Sequence, residues 1–275
     1  MIYLIIATIC FSLSFGIIKT LLTDLPSEFI VFNRLLLAGI IFLPFSKFKK
    51  GIKEHIKAGL IGVIQFGIMY LCFINAFKYL QGNEIALLTT STPLFVLIWS
   101  TLLGERFRWI YLISIIISIA GAVIILYDHL SFEMMLKGIL LMECSNCSFA
   151  LGQVLWKKYL RMESAECISS AYLGAGLLIL PSLISYGKLP TITISQLSAI
   201  LYLGIVPTGL GFWLWNKGSK FVKYTTLALM NNLKIPVAVI FSIIIFKEQI
   251  NTISFIIGIS IMTLAYIILQ NRRLS

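Results

Sequence analysis

Charge is the scarcest property of this sequence. Asp, Glu, Lys and Arg make up 12% of its 275 residues, against about a quarter in a soluble domain, and mean hydropathy is +0.97. So little polar surface excludes a protein that faces water on all sides. Acids are rarer than bases, 11 against 22. The bases punctuate apolar runs instead of gathering in one patch or arm, which excludes nucleic acid as a partner. Histidine occurs twice, as His55 and His129, both outside the apolar runs. With no Ser/His, His-x-x-Glu or paired-acid pattern the chain offers no catalytic residues, and without a Gly-x-x-x-x-Gly-Lys loop it has no means of direct ATP coupling. Five cysteines lie in or beside apolar segments, and the pair Cys144 and Cys147 has no second pair and no histidine near it. That pair reads as helix packing, with no metal, cofactor or disulfide implied.

Apolar runs are what the chain has in abundance. Stretches of about 20 residues, the length that crosses a hydrocarbon core, recur at 2–22, 28–46, 57–77, 84–104, 108–127, 136–156, 166–186, 197–216, 224–246 and 252–270. The breaks carry turn residues, as at Asp24–Leu25–Pro26, Gln81–Gly82–Asn83 and Gly187–Lys188–Leu189–Pro190. Strands are excluded because the runs do not alternate and an open sheet cannot satisfy its edges in lipid. The first run has no basic n-region or small-residue cleavage site and contains Ser12, Ser14 and Lys19, so it is expected to be a retained span. With the N-terminus placed inside, 15 of the 22 Lys and Arg fall in inner loops, four in outer loops and three within spans. This bias predicts a multi-pass protein of the cell inner (cytoplasmic) membrane with both termini cytoplasmic. Lys47 to Lys57 would lie against anionic lipid headgroups of the bilayer.

The second half re-uses the first. Ala38–Gly39 with Leu43–Pro44 returns as Ala175–Gly176 with Leu180–Pro181. Pro93 with Glu105 returns as Pro236 with Glu248, and Ser12 with Gly16 returns as Ser148 with Gly152. Offsets of 136 to 143 residues in one order point to a duplication, 1–131 and 132–275. Five spans per copy is an odd number, so the copies are inverted. The expected fold is therefore all-α, a polytopic membrane protein of ten transmembrane helices in two inverted five-helix repeats (5+5). Inverted repeats are a common transporter construction, with the substrate held near the midplane. The endings Leu102–Leu103–Gly104–Glu105 and Phe246–Lys247–Glu248, the small-residue stretches Ile119–Ala120–Gly121 and Ile256–Ile257–Gly258, and Phe15–Gly16–Ile17–Ile18–Lys19 resemble the drug/metabolite transporter superfamily, specifically its EamA-type branch, over essentially the whole chain. Lys247 stands where the first copy has Gly104, a departure from the pattern. The resemblance implies a 5+5 inverted fold and transport of amino acids or other small metabolites.

Several residues sit where lipid discourages them. Pro93 and Pro236 each free a backbone carbonyl four residues earlier, on Thr89 and Asn232, which occupy equivalent positions in the two copies. Each is read either as a packing kink re-satisfied by Ser and Thr, or as part of a wet cavity; beside Asn232 stand Asn231 and Lys234, which favour a cavity. Lys234 lies about midway along its span, where an unpaired charge costs about 3 kcal/mol and the interface is roughly 15 Å away. Glu143, Asn146 and Gln153 share one stripe of span six, either a hydrogen-bonded seam or a cavity wall. Arg34 in span two could snorkel outward or face the interior, and Lys19 reads as snorkelling. Gln65 with Met69, Cys72 and Ala76, and Thr208 with Gly204, Gly211 and Trp215, mark faces of spans three and eight. Packing is the default for both faces and a vestibule the alternative. Trp213 and Trp215 read as an interfacial aromatic belt.

These features predict a secondary transporter, not an enzyme, for a small polar metabolite, amino-acid-like or otherwise zwitterionic or anionic. It works by alternating access on an ion gradient or exchange. Glu143 and Lys234 are expected to line one cavity and to pair when it is empty. A flippase for a lipid-linked substrate is the alternative. The expected substrate-binding set is Glu143, Lys234, Asn231, Asn232, Thr89, Asn146, Arg34, Gln65 and Thr208. Pro93 and Pro236 act as kinks, and the chain is a monomer or homodimer.

Overall fold

The computed structural model describes residues 1–48, 51–80, 85, 88–126, 135–185, 190–237, 240 and 252–271. The turn at Gln81–Gly82–Asn83, Gly187, Lys188 and Leu189, and Lys49, Lys50, Asp128, His129, Phe246, Lys247, Glu248, Arg272 and Arg273 lie outside them. Among the described residues every regular element is helical and none is a strand, the outcome lipid demands, since a helix closes its own backbone hydrogen bonds. The helices are α1 (Ile2–Ser12), α2 (Ser14–Leu21), α3 (Ser27–Phe42), α4 (Ile52–Gly62), α5 (Met69–Ala76), α6 (Thr92–Leu102), α7 (Trp109–Leu126), α8 (Met135–Tyr159), α9 (Ser164–Ser185), α10 (Ile194–Leu203), α11 (Phe212–Ser219), α12 (Tyr224–Asn232) and α13 (Thr252–Asn271).

Six helical stretches among the described residues are long and apolar enough to cross a membrane: Ile2–Leu21, Ser27–Phe45, Ile52–Ala76, Leu136–Tyr159, Ser164–Ser185 and Ile194–Ser219. They coincide with expected spans one, two, three, six, seven and eight. Spans five and ten fall on α7 and α13, and spans four and nine fall in part on α6 and α12. The protein is thus a multi-pass, all-helical membrane protein, while six of the ten expected crossings meet the length criterion.

Two stretches depart from α geometry in a way the sequence did not announce. Val63–Ile68 joins α4 to α5, and Gly204–Gly211 joins α10 to α11, each as a π-helical segment. They begin 141 residues apart, within the offsets expected for an internal repeat. Wide π turns recur at functional sites because they displace backbone groups from the regular ladder. The expected kink at Pro93 has a different form: a 3-10 turn, Thr89–Ser91, precedes α6, and Pro93 sits in its first turn, where a missing N–H costs nothing. The chain also breaks after Asn232 and after Ser12.

Side-chain contacts sort the connections to two ends. Lys47 pairs with Glu166, the Arg161 amide donates to Glu54, Lys220 donates to the Met162 carbonyl and Lys158 to the Leu103 carbonyl. One end of the bundle therefore carries the basic loops. At the other end Ser27 meets Asn75 and the Lys137 ammonium lies over Tyr79. The close approaches between helices are made by glycine: a Cβ at Gly152 would stand 2.2 Å from Gln65 Cβ.

Candidate functional site

A partly open cavity of about 80 Å³ lies among the described helices, smaller than the usual small-molecule site. Its wall is rich in aromatics, with Phe11, Phe15, Phe73, Phe149 and Phe212, and it carries two cationic side chains, Arg34 and Lys234. Ser14, Thr89, Ser145 and Asn146 add polar atoms. Among the described residues no Asp or Glu lines it.

Arg34 is 1% exposed and so does not snorkel. Its Nε donates to Thr208 Oγ1 at 3.1 Å and its Nη2 to the Tyr70 hydroxyl at 2.8 Å. The Tyr70 hydroxyl lies 3.0 Å from Thr208 Oγ1, which itself donates to the Leu203 carbonyl at 2.7 Å. That carbonyl stands four residues before Pro207, so it is the one a proline there frees. Tyr172 donates to the carbonyls of Thr208 and Gly209 at 2.7 and 3.0 Å. The π segment thus positions Thr208, and Thr208 and Tyr70 together fix the guanidinium. One donor, Nη1, is buried with no hydrogen-bond partner, and so is Ser14 Oγ. Buried polar atoms are normally satisfied, so these two atoms on the cavity wall are free to meet a ligand or water.

Lys234 faces the same cavity, 6.0 Å from the Phe149 ring centroid, near enough for a cation–π contact. Its backbone carbonyl accepts from Ser12 Oγ at 3.1 Å, tying the break in the first span to that in the ninth. Among the described residues no carboxylate lies within ion-pair distance of its ammonium. Glu143 is not on the cavity wall and does not pair with Lys234; its Oε2 is 2.8 Å from Ser91 Oγ. Glu143 and Asn146, one turn on, both reach the 3-10 segment, and of the two only Asn146 also lines the cavity. Asn146 donates to the Leu88 carbonyl and to Ser91 Oγ at 2.8 and 2.9 Å and accepts from Thr92 at 3.1 Å. It is a clamp on that turn as well as a wall residue. The carbonyl of Thr89 accepts from Thr92 Oγ1 at 2.8 Å, so this copy of the proline site re-satisfies itself.

The remaining expected residues form polar seams away from the cavity wall. Gln65 and Asn216 exchange amide hydrogen bonds at 2.9 and 3.4 Å. Gln153 Oε1 accepts from Trp215 and from Asn231 at 3.0 and 3.2 Å. Asn232 donates to Ser118 at 3.0 Å. Trp215 is therefore buried in a seam, at 2% exposure, and is no part of an interfacial belt. Tyr70 was not singled out from the sequence, since a tyrosine in an apolar span carries no signal until its partner is known.

Comparison with known proteins gives one direction. The model of the EamA-like transporter family matches residues 1–127 and 136–270. A probable biotin transporter of Pseudomonas aeruginosa is 34% identical over 90% of this chain and 89% of its own length. The biotin transporter of Salmonella typhimurium is 35% identical over 94% and 89%. A probable amino-acid metabolite efflux pump of Escherichia coli is 24% identical over 96% and 92%. A solved crystal structure superposes on the whole chain and 98% of its own with a TM-score of 0.81 at 17% identity, which speaks for the fold alone.

Proposed function

The chain belongs to the EamA-like transporter family, and from that membership we propose that it carries biotin, or a carboxylate of the same build, across the cytoplasmic membrane. The carrying observation is the cavity's charge: a clamped Arg34 with one free buried donor, joined by Lys234 and by no acid. A carboxylate satisfies both, as charge-assisted hydrogen bonds to a guanidinium are the strong ones. Biotin also has an apolar ring and chain, which suit the phenylalanine wall, and a ureido group that suits the hydroxyls and amide there. A zwitterion fits less well, because its ammonium would meet Lys234 while Glu143 stands off the wall.

In this reading the halves 1–131 and 132–275 are inverted five-span repeats, both termini are cytoplasmic, and the breaks beside Thr89 and Lys234 let the cavity change sides. Glu143 is the coupling group, since its bond to Ser91 places a protonatable carboxyl on the turn that Asn146 holds. Proteoliposomes holding the purified chain and fed labelled biotin test the proposal. Saturable uptake that falls at least tenfold in Lys234→Ala supports it; uptake equal to that of empty liposomes defeats it.

A further inference from the structure

A second concave site of about 940 Å³ lies at the basic end of the bundle, open to the surface. Among the described residues five cations line it, Arg106, Arg108, Lys157, Lys220 and Lys223, against one acid, Glu105. Among these, Lys220 is partly spent on the Met162 carbonyl, while Lys157 lies 5.0 Å from the Tyr224 ring and Arg108 5.9 Å from that of Tyr111.

Between this groove and the central cavity stands a separate apolar cluster: Val96 and Leu97 on α6, Ala150 and Val154 on α8, and Ala228 and Leu229 on α12. The order along each helix is the same. On α8 it runs Asn146 at the cavity, Ala150 and Val154 in the cluster, Lys157 in the groove. On the fourth segment Thr89 gives way to Val96 and Leu97, then to Ser100 and Gly104. On the ninth, Lys234 gives way to Leu229 and Ala228, then to Tyr224. Leu97 belongs to both cluster and groove, and Tyr111 and Tyr224 line the groove while packing on the cluster.

We propose that the groove is a second anion site, which holds the carboxylate of the cargo at the cytoplasmic mouth of a route running between α6, α8 and α12, with the apolar cluster as the closed gate. It rests on the carboxylate reading of the central cavity. A concave surface with several cations and one acid concentrates small anions. The continuity of its wall with the cluster argues for cargo over an anionic lipid headgroup, the other known use of basic pockets at this level.

The test uses the full chain in phosphatidylcholine membranes, so that no anionic lipid competes. Arg106→Gln combined with Lys223→Gln is expected to raise the ratio of the biotin KM at the cytoplasmic face to that at the outer face about fivefold, less at high salt. An unchanged ratio overturns the proposal. So does a defect that appears only when phosphatidylglycerol is added, which makes the groove a lipid site. Phenylglyoxal modification of Arg106, followed by peptide mass, reads the groove without transport. Protection by acetate in neutral membranes is expected even if biotin is not carried, a result that would sink the transport reading while sparing the anion site. Absence of protection overturns the site itself.

Discussion

At the scale of single residues the intramembrane charges were the legible signal, and their environments were not. Arg34 and Lys234 declare themselves because lipid penalises them, yet whether Arg34 snorkels depends on Tyr70 and Thr208, which are remote in sequence. Glu143 looked like a partner for Lys234 by the same cost argument, and the 3-10 turn at Thr89–Ser91 claims it instead. The consequence for Arg34 is sharp. Arg34→Lys keeps the charge but cannot donate to Thr208, to Tyr70 and to a ligand in one planar fork. Losing a charge-assisted hydrogen bond costs about 1.5–3 kcal/mol, so the biotin KM rises tenfold or more while the variant inserts normally. Tyr70→Phe removes one anchor and leaves the charge, so a smaller rise is expected, and equal KM values in the two variants would refute the clamp. Glu143→Gln keeps an acceptor for Ser91. It is expected to bind and exchange biotin but to lose accumulation against a gradient, measured with and without an imposed proton gradient.

At the scale of elements, the apolar runs predicted most helices, but the breaks inside them were read only where proline advertises one. The π segments at Val63–Ile68 and Gly204–Gly211 escape sequence reading, since nothing in residue type marks a wide turn until a side chain such as Thr208 is seen bonded five residues back. The ending of α6 was legible as Leu102–Leu103–Gly104–Glu105, and its physics is a left-handed stop. Gly104 has φ of +99°, its amide donates to Thr101 and the Glu105 amide to Ser100, both at 3.0 Å. This is the Schellman closure that favours glycine. Gly104→Ala is expected to lower stability by about 1 kcal/mol, seen as a lower unfolding midpoint in detergent. Thr208→Val should cost more, about 1–3 kcal/mol, because it leaves the buried Arg34 Nε without its partner. If Thr208→Val unfolds no earlier than Gly104→Ala, the π segment is not what holds the guanidinium.

At the scale of the whole molecule, counting Lys and Arg separated the loops into two sets, and the contacts put members of each set together, with Lys47 beside Glu166 and Arg161 beside Glu54 at one end. The lysine and arginine bias that predicts which end faces the cytoplasm acts during insertion and leaves no mark on internal packing. The helix pairings follow an exchange of halves: α3 packs on α9, α6 on α12 and α7 on α13, while α4 and α5 meet α9 and α8 as the Gly204–Gly211 segment meets α3 and α1. Pairing of this kind is what the proposed inverted repeats require. With both termini inside, Asp24 lies outside and Lys53 inside, both on exposed positions. In a background with the five native cysteines replaced by serine, Asp24→Cys should react with an impermeant thiol reagent added to intact cells. Lys53→Cys should react only after the cells are opened. Labelling of Lys53→Cys in intact cells would invert the bundle, turn the basic groove into an outer vestibule, and reverse the direction from which the apolar cluster closes the route.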